Sequence, residues 1–159
     1  LDSYKNLIGV IRQPEMTFIC PEPLETLPYQ QILSGAAELL KTFIINNKCN
    51  EYERTVNMLS NIHERASRGS AEAAVREYSQ TFRELIAAAA NVKAGIAGRD
   101  PDERGERRLL NLGHTFAHAI EKNSREAVSH GQAVSMGIIL AARLAESLGL
   151  TTDLSEPLK

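Results

Sequence analysis

Glu38, His114 and His130 are residue types that can make a metal site. Catalytic zinc sites use three protein ligands, two His and a Glu among the common sets, and leave a fourth position open. A second feature surrounds His114. Read as one helix, the stretch from Arg107 to Glu121 puts Arg107, Asn111, His114 and His118 in a row at steps of four, three and four. That row is polar, partly ionisable and fixed in direction, which suits the wall of a pocket holding a metal or a substrate. A third set is cationic: Lys5, Lys41, Lys93 and Arg107. Converging, they would hold a small anion, because Arg offers paired donors and Lys a point charge to phosphate or carboxylate. Each feature has a plainer alternative. His-x-x-x-His arises by chance, no His-Glu-x-x-His motif strengthens it, and Glu38 with Lys41 can be a surface pair three apart on a helix. Against that, Glu38 stands between Ala37 and Leu39-Leu40 in a mostly apolar segment.

The elements that must position these residues fit one sizeable domain of 159 residues. With 43% apolar and 24% charged residues the composition is that of a soluble globular protein. A net charge of −2 gives no reason to expect nucleic acid or an anionic membrane as partner. No apolar run reaches the length of a membrane span, and no signal sequence opens the chain. Cys20 and Cys49 read as reduced thiols in a cytoplasmic protein, since two cysteines do not make a disulfide scaffold.

Residues 1–30 are the least helical part. Pro14, Pro21, Pro23 and Pro28 interrupt any long helix. Met16-Thr17-Phe18-Ile19-Cys20 is a β-prone run and predicts one short strand. From Gln31 the pattern turns helical, with Ile32, Ala36, Leu39, Leu40, Phe43 and Ile44 at the 3.6-residue period. Ser34-Gly35-Ala36-Ala37 is small enough to let another backbone approach. A second helix covers Glu51 to about Arg65 and leaves His63 on the surface. A long third one runs from about Ala71 to Ala97. Asp100 and Pro101 suit the start of the histidine helix. The last helix spans Gly131 to Leu148, with Gly149 as its stop. The expected fold class is therefore mainly α. The expected division is a linker over 1–30 and a helical domain over 31–159.

Leu110-Asn111-Leu112-Gly113-His114-Thr115-Phe116-Ala117-His118-Ala119-Ile120-Glu121, followed by His130-Gly131-Gln132-Ala133-Val134, resembles the 3-dehydroquinate synthase family. Further matches in order and spacing are Lys5-Asn6-Leu7-Ile8-Gly9, Leu24-Glu25-Thr26-Leu27-Pro28, Ser34 through Lys41, and Asp100 through Arg107. The resemblance implies the helical C-terminal domain of that fold, preceded by a short remnant of its α/β nucleotide-binding domain. It implies Glu38, His114 and His130 as ligands of zinc or cobalt. It implies Lys41, Lys93, Arg107, Asn111 and His118 as catalytic, Lys5 and Asn6 as substrate contacts, and Thr26 and Leu27 as what is left of the NAD site. The family, which this resemblance suggests is homodimeric, converts the anionic sugar phosphate 3-deoxy-arabino-heptulosonate 7-phosphate to 3-dehydroquinate and phosphate, in the shikimate route. A hydroxyl is oxidised by NAD, phosphate is eliminated, the ketone is reduced back, and the opened ring closes by an aldol step.

Four departures accompany the resemblance. No Gly-rich nucleotide loop occurs in the chain, and a family lysine expected beyond the last helix has no counterpart. Ala117 stands where the family usually has Gly. Gln132 stands where it usually has Glu, which removes a negative charge beside His130 and predicts weaker support for that ligand. Both ends look like cuts in something longer, and the expectation is a metal-and-substrate domain that does not turn over alone. The alternatives are another sugar-phosphate cyclase, such as 2-deoxy-scyllo-inosose synthase, a metal-dependent alcohol or glycerol dehydrogenase, and a non-catalytic helical interaction domain.

Overall fold

A computed structural model of the chain describes residues 14–124 and 127–152. Six α-helices occur among them: α1 (Tyr29–Ile45), α2 (Cys49–Ala66), α3 (Ala71–Glu77), α4 (Ser79–Arg99), α5 (His114–Ser124) and α6 (His130–Ser147). Two 3₁₀ segments, Glu22–Thr26 and Glu106–Asn111, precede α1 and α5. The fold is mainly α, and no strand is found among the described residues. The run Met16–Cys20, expected as a strand, has no regular structure, and Met16, Phe18 and Ile19 are exposed. A lone extended segment has no neighbour to take its backbone N–H and C=O groups. Lys5 and Asn6 lie outside the described residues.

The central element is α1, which packs against α2, α4 and α6. Its apolar period was legible in sequence, and the structure shows what it meets. Ile32 and Phe43 share a core with Met58 and Ile62 of α2, Val75 of α3, and Phe82 and Leu85 of α4. Burying each large apolar side chain stabilises by roughly 1.5–3 kcal/mol. Cys20 and Cys49 are both free and exposed. No described helix is long and apolar enough to cross a membrane.

The expected helix over 71–97 is two helices. Tyr78 leaves helical geometry at φ −89°, ψ 9°. The turn lets α3 pack on α2 and on the Glu22–Thr26 segment while α4 runs along α1, which one straight rod could not do.

A second, smaller core joins α5 and α6, built from Ala117, Ala133, Val134 and Ile138. Small residues let these two helices come close. A Cβ on Gly137 would lie 2.2 Å from the Gly113 carbonyl oxygen. Ala117, one of the departures from the family, is fully buried at this contact.

The expected helix from Arg107 to Glu121 is likewise broken. Gly113 sits at φ +78°, in the left-handed region, between the 3₁₀ segment and α5. His114 therefore begins a helix instead of standing in the middle of one. The row of four is split: His114 and His118 share α5, whereas Arg107 and Asn111 belong to the preceding 3₁₀ segment. Asp100 does not cap a helix starting at Pro101. Its carboxylate accepts from the backbone N–H groups of Arg104, Gly105 and Arg107 at 2.9, 2.8 and 3.0 Å, so it organises the loop that leads to the 3₁₀ segment.

Candidate metal centre

Three elements bring the candidate ligands together. Glu38 lies in the third turn of α1, His114 at the start of α5 and His130 at the start of α6. One turn before Glu38, α1 crosses α6 at Ser34 and Gly131, where the Gly131 amide donates to the Ser34 hydroxyl at 3.0 Å. That crossing sets His130 beside Glu38. The close packing of Gly137 on Gly113 sets His114 beside both.

The donor atoms of Glu38, His114 and His130 lie within 4.8 Å of one another. Glu38 Oε1 is 3.7 Å from His114 Nε2 and 3.8 Å from His130 Nε2. These separations are too long for hydrogen bonds. They approach the about 3.4 Å between two ligand atoms of a tetrahedral ion with bonds near 2.0–2.1 Å. The two imidazole rings are 5.5 Å apart and inclined at 66°, so they do not stack.

Each histidine is held by its other nitrogen. His114 Nδ1 lies 3.3 Å from the Leu112 carbonyl oxygen, and His130 Nδ1 lies 3.0 Å from Glu121 Oε1. A carbonyl and a carboxylate only accept, so in a neutral ring each of these contacts is made by a proton on Nδ1. Both Nε2 lone pairs are then free to bind a metal, the arrangement usual for metal-ligating histidines. Burial lowers the pKa of His114 from its ordinary value, which keeps the ring neutral as a ligand must be. The chemistry of the donor set thus fits a divalent cation.

The Glu38 carboxylate has two faces. Oε1 points at the histidines, and Oε2 lies 2.8 Å from Lys41 Nζ and 3.5 Å from Lys93 Nζ. Lys41 also donates to Oε1 at 3.0 Å. The pair of Glu38 and Lys41 is not the surface pair that sequence allowed, because Lys41 is only 2% exposed. Burial works to lower the Lys41 pKa, the Glu38 bond opposes it, and the net shift is downward. Burial alone would raise the Glu38 pKa, but Lys41, Lys93 and His114 together hold it below the usual carboxylate value.

Other predicted residues are placed less directly. The His118 ring stands edge-on to His114 with centroids 5.6 Å apart. Arg107 donates through Nη1 to the Pro101 carbonyl at 2.8 Å, and Asn111 donates to Glu103 Oε1 at 2.7 Å, so both are anchored to the loop that Asp100 organises. Thr26 donates to the Pro23 carbonyl. Leu27 lines an apolar cavity of about 190 Å³ with Leu24, Ile32, Leu39, Phe82 and Ile86, and none of Glu38, His114 and His130 is among its lining residues. Gln132 does not reach His130 as its neighbour in sequence suggested. Its Oε1 accepts from the Ser129 amide at 2.9 Å while Ser129 Oγ accepts from the Gln132 amide at 3.3 Å. That reciprocal capping box closes the start of α6. The carboxylate on His130 is Glu121, which sequence reasoning did not single out. The available signal was its position seven residues after His114, on the same face of the helix.

A family model described as 3-dehydroquinate synthase C-terminal matches residues 35–157. The chain is 40% identical over 144 residues to a 3-dehydroquinate synthase of Pyrococcus abyssi, covering 91% of this chain and 38% of that protein. It is 36% identical over 151 residues to that of Corynebacterium pseudotuberculosis and 35% identical over 154 residues to that of Rippkaea orientalis. Each covers 94% of this chain and 38% of the relative. The chain thus spans under two fifths of the length of these relatives. By the match over most of its length, this chain belongs to the 3-dehydroquinate synthase family and corresponds to its C-terminal domain.

Proposed function

We propose that this chain is the metal- and substrate-binding part of a 3-dehydroquinate synthase, which converts 3-deoxy-arabino-heptulosonate 7-phosphate to 3-dehydroquinate and phosphate. The observation that carries the reading is the convergence of Glu38, His114 and His130, with Lys41 on both oxygens of Glu38 and Lys93 beside the far one. Glu38 Oε1 and the two Nε2 atoms would hold zinc or cobalt. Such an ion supplies Lewis acidity toward a substrate hydroxyl at an open coordination position.

The remaining roles follow from the residues themselves. Lys41 and Lys93 place positive charge beside the ligands, where it attracts an anionic sugar phosphate and steadies charge that develops during reaction. Lys41 is buried and pre-positioned, so little reorganisation is needed when substrate arrives. His118, one turn from His114, is exposed and can exchange a proton with bound substrate. Arg107 and Asn111 sit on the anchored 3₁₀ segment as further substrate contacts, and Lys5 and Asn6 complete the proposed set. The division into a linker over 1–30 and a domain over 31–159, NAD bound with the help of Thr26 and Leu27, a homodimer and a cytoplasmic setting belong to the same proposal.

The test has two arms. The protein that carries this region is assayed for phosphate release from the heptulosonate substrate with NAD present. Release is expected, and turnover only of another sugar phosphate, as by a 2-deoxy-scyllo-inosose synthase, overturns the reading. The isolated chain is then analysed for metal. About one zinc per chain is expected without turnover. A well-folded chain that takes up no zinc at neutral pH would favour a non-catalytic interaction domain.

A further inference from the structure

Glu121 is the carboxylate behind His130, and the mechanism above does not use it. It lies on α5, seven residues and two turns after His114, so one helix face offers both a ligand and the support for the next ligand. The Glu121 side chain is 22% exposed, whereas that of His130 is 45% exposed. His130 opens α6 and is half exposed, with the His114 ring 5.5 Å away on its other side. His114 is more deeply set, and a backbone carbonyl fixes it.

We propose that Glu121 is a positioning residue that sets the tautomer and direction of His130 for metal binding, an inference that rests on the metal reading of the Glu38, His114 and His130 site. Neutral imidazole free in water favours the proton on Nε2. In that tautomer the atom 3.8 Å from Glu38 Oε1 would carry hydrogen and could not be a ligand. Accepting at 3.0 Å from Nδ1, Glu121 reverses that preference and leaves the Nε2 lone pair pointed at the site. The charge of the carboxylate also makes the imidazole a better donor to a cation. Gln132, adjacent in sequence and occupied in the α6 cap, does not supply this support.

Two measurements test the proposal. In the metal-free wild-type chain, long-range nitrogen–proton correlation of the His130 ring should show the proton on Nδ1, and in Glu121→Ala it should move to Nε2. Zinc affinity from competition with a chromophoric chelator should fall about 10- to 100-fold in Glu121→Ala. Glu121→Gln, which keeps an acceptor oxygen, should restore the Nδ1 proton and part of the affinity. Wild-type His130 found with its proton on Nε2 overturns the proposal without recourse to any variant. So does zinc affinity of a folded Glu121→Ala chain within about threefold of wild type. Absence of zinc uptake by the wild type is a different result: it overturns the metal reading and takes this inference with it.

Discussion

Gly131 and Ser34 are the point at which α6 meets α1, so close that a Cβ on Gly131 would lie 2.1 Å from the Ser34 carbonyl oxygen. Glu38 stands one turn beyond Ser34, and His130 immediately precedes Gly131. The spacing between the Glu38 carboxylate and the His130 ring is therefore set by the absence of one methyl group. Gly131→Ala cannot be absorbed by a flexible side chain, because the atoms it meets are backbone. Its expected cost is about 1–3 kcal/mol, the usual range for overpacking. Denaturant unfolding should show that loss, and zinc affinity should fall with it as α1 and α6 are pushed apart. An unchanged midpoint would mean that the crossing is looser than described.

Metal should stabilise the folded chain, because the three donors converge only when α1, α5 and α6 are packed. A ligand that binds the native state alone adds about 2.7 kcal/mol at a free concentration one hundred times its Kd. Thermal melts with and without zinc should separate accordingly, and EDTA should close the gap. His114→Ala and His130→Ala should melt at a temperature independent of zinc. A zinc-induced shift that survives both substitutions would place the metal elsewhere.

Acid should loosen the loop that carries Arg107. The backbone N–H groups of Arg107, Arg104 and Gly105 hold the Asp100 carboxyl below its ordinary pKa. A group whose folded pKa is depressed stabilises above its unfolded value and loses that contribution as pH falls through the folded one. The stability of the wild type should therefore drop below the ordinary carboxylate range near pH 4. Asp100→Asn should be less stable at neutral pH and should show a flatter acid limb. Parallel acid limbs for the two proteins would deny Asp100 this role.

Gln132→Glu restores the residue usual in the family and should leave zinc affinity within about twofold of wild type, since the side chain caps α6 and does not support His130. A carboxylate in the first turn of a helix adds about 0.3–1 kcal/mol, so the variant should be slightly more stable. A tenfold gain in zinc affinity would show that position 132 acts on the ligand after all.

Much of the architecture was legible in the chain. Periodicity located α1, helices were expected where α2 and α6 lie, and Gly149 stops the last helix as expected, at φ +67°. His63 is exposed as expected, though its Nδ1 is within 2.9 Å of the Tyr29 hydroxyl. The breaks at Tyr78 and Gly113 were not legible, because apolar spacing continues across both. A helical pattern reports which residues want burial, and it does not report that the partners to be met lie in two directions.

The sequence by itself determined the donor chemistry: two histidines and a glutamate able to bind a cation, lysines able to hold an anion, and a family signature that joins them. Only the tertiary structure decided which atoms face one another. It took Arg107 and Asn111 off the histidine helix and put Gln132 in a cap. It also placed Glu121 behind His130 and set the Glu38 carboxylate between histidines and lysines. The physical reason is range. Residue type and helical period act over a turn or two of chain, whereas the site depends on where three helices cross, and those crossings are set by the side chains missing at Gly113, Gly131 and Gly137.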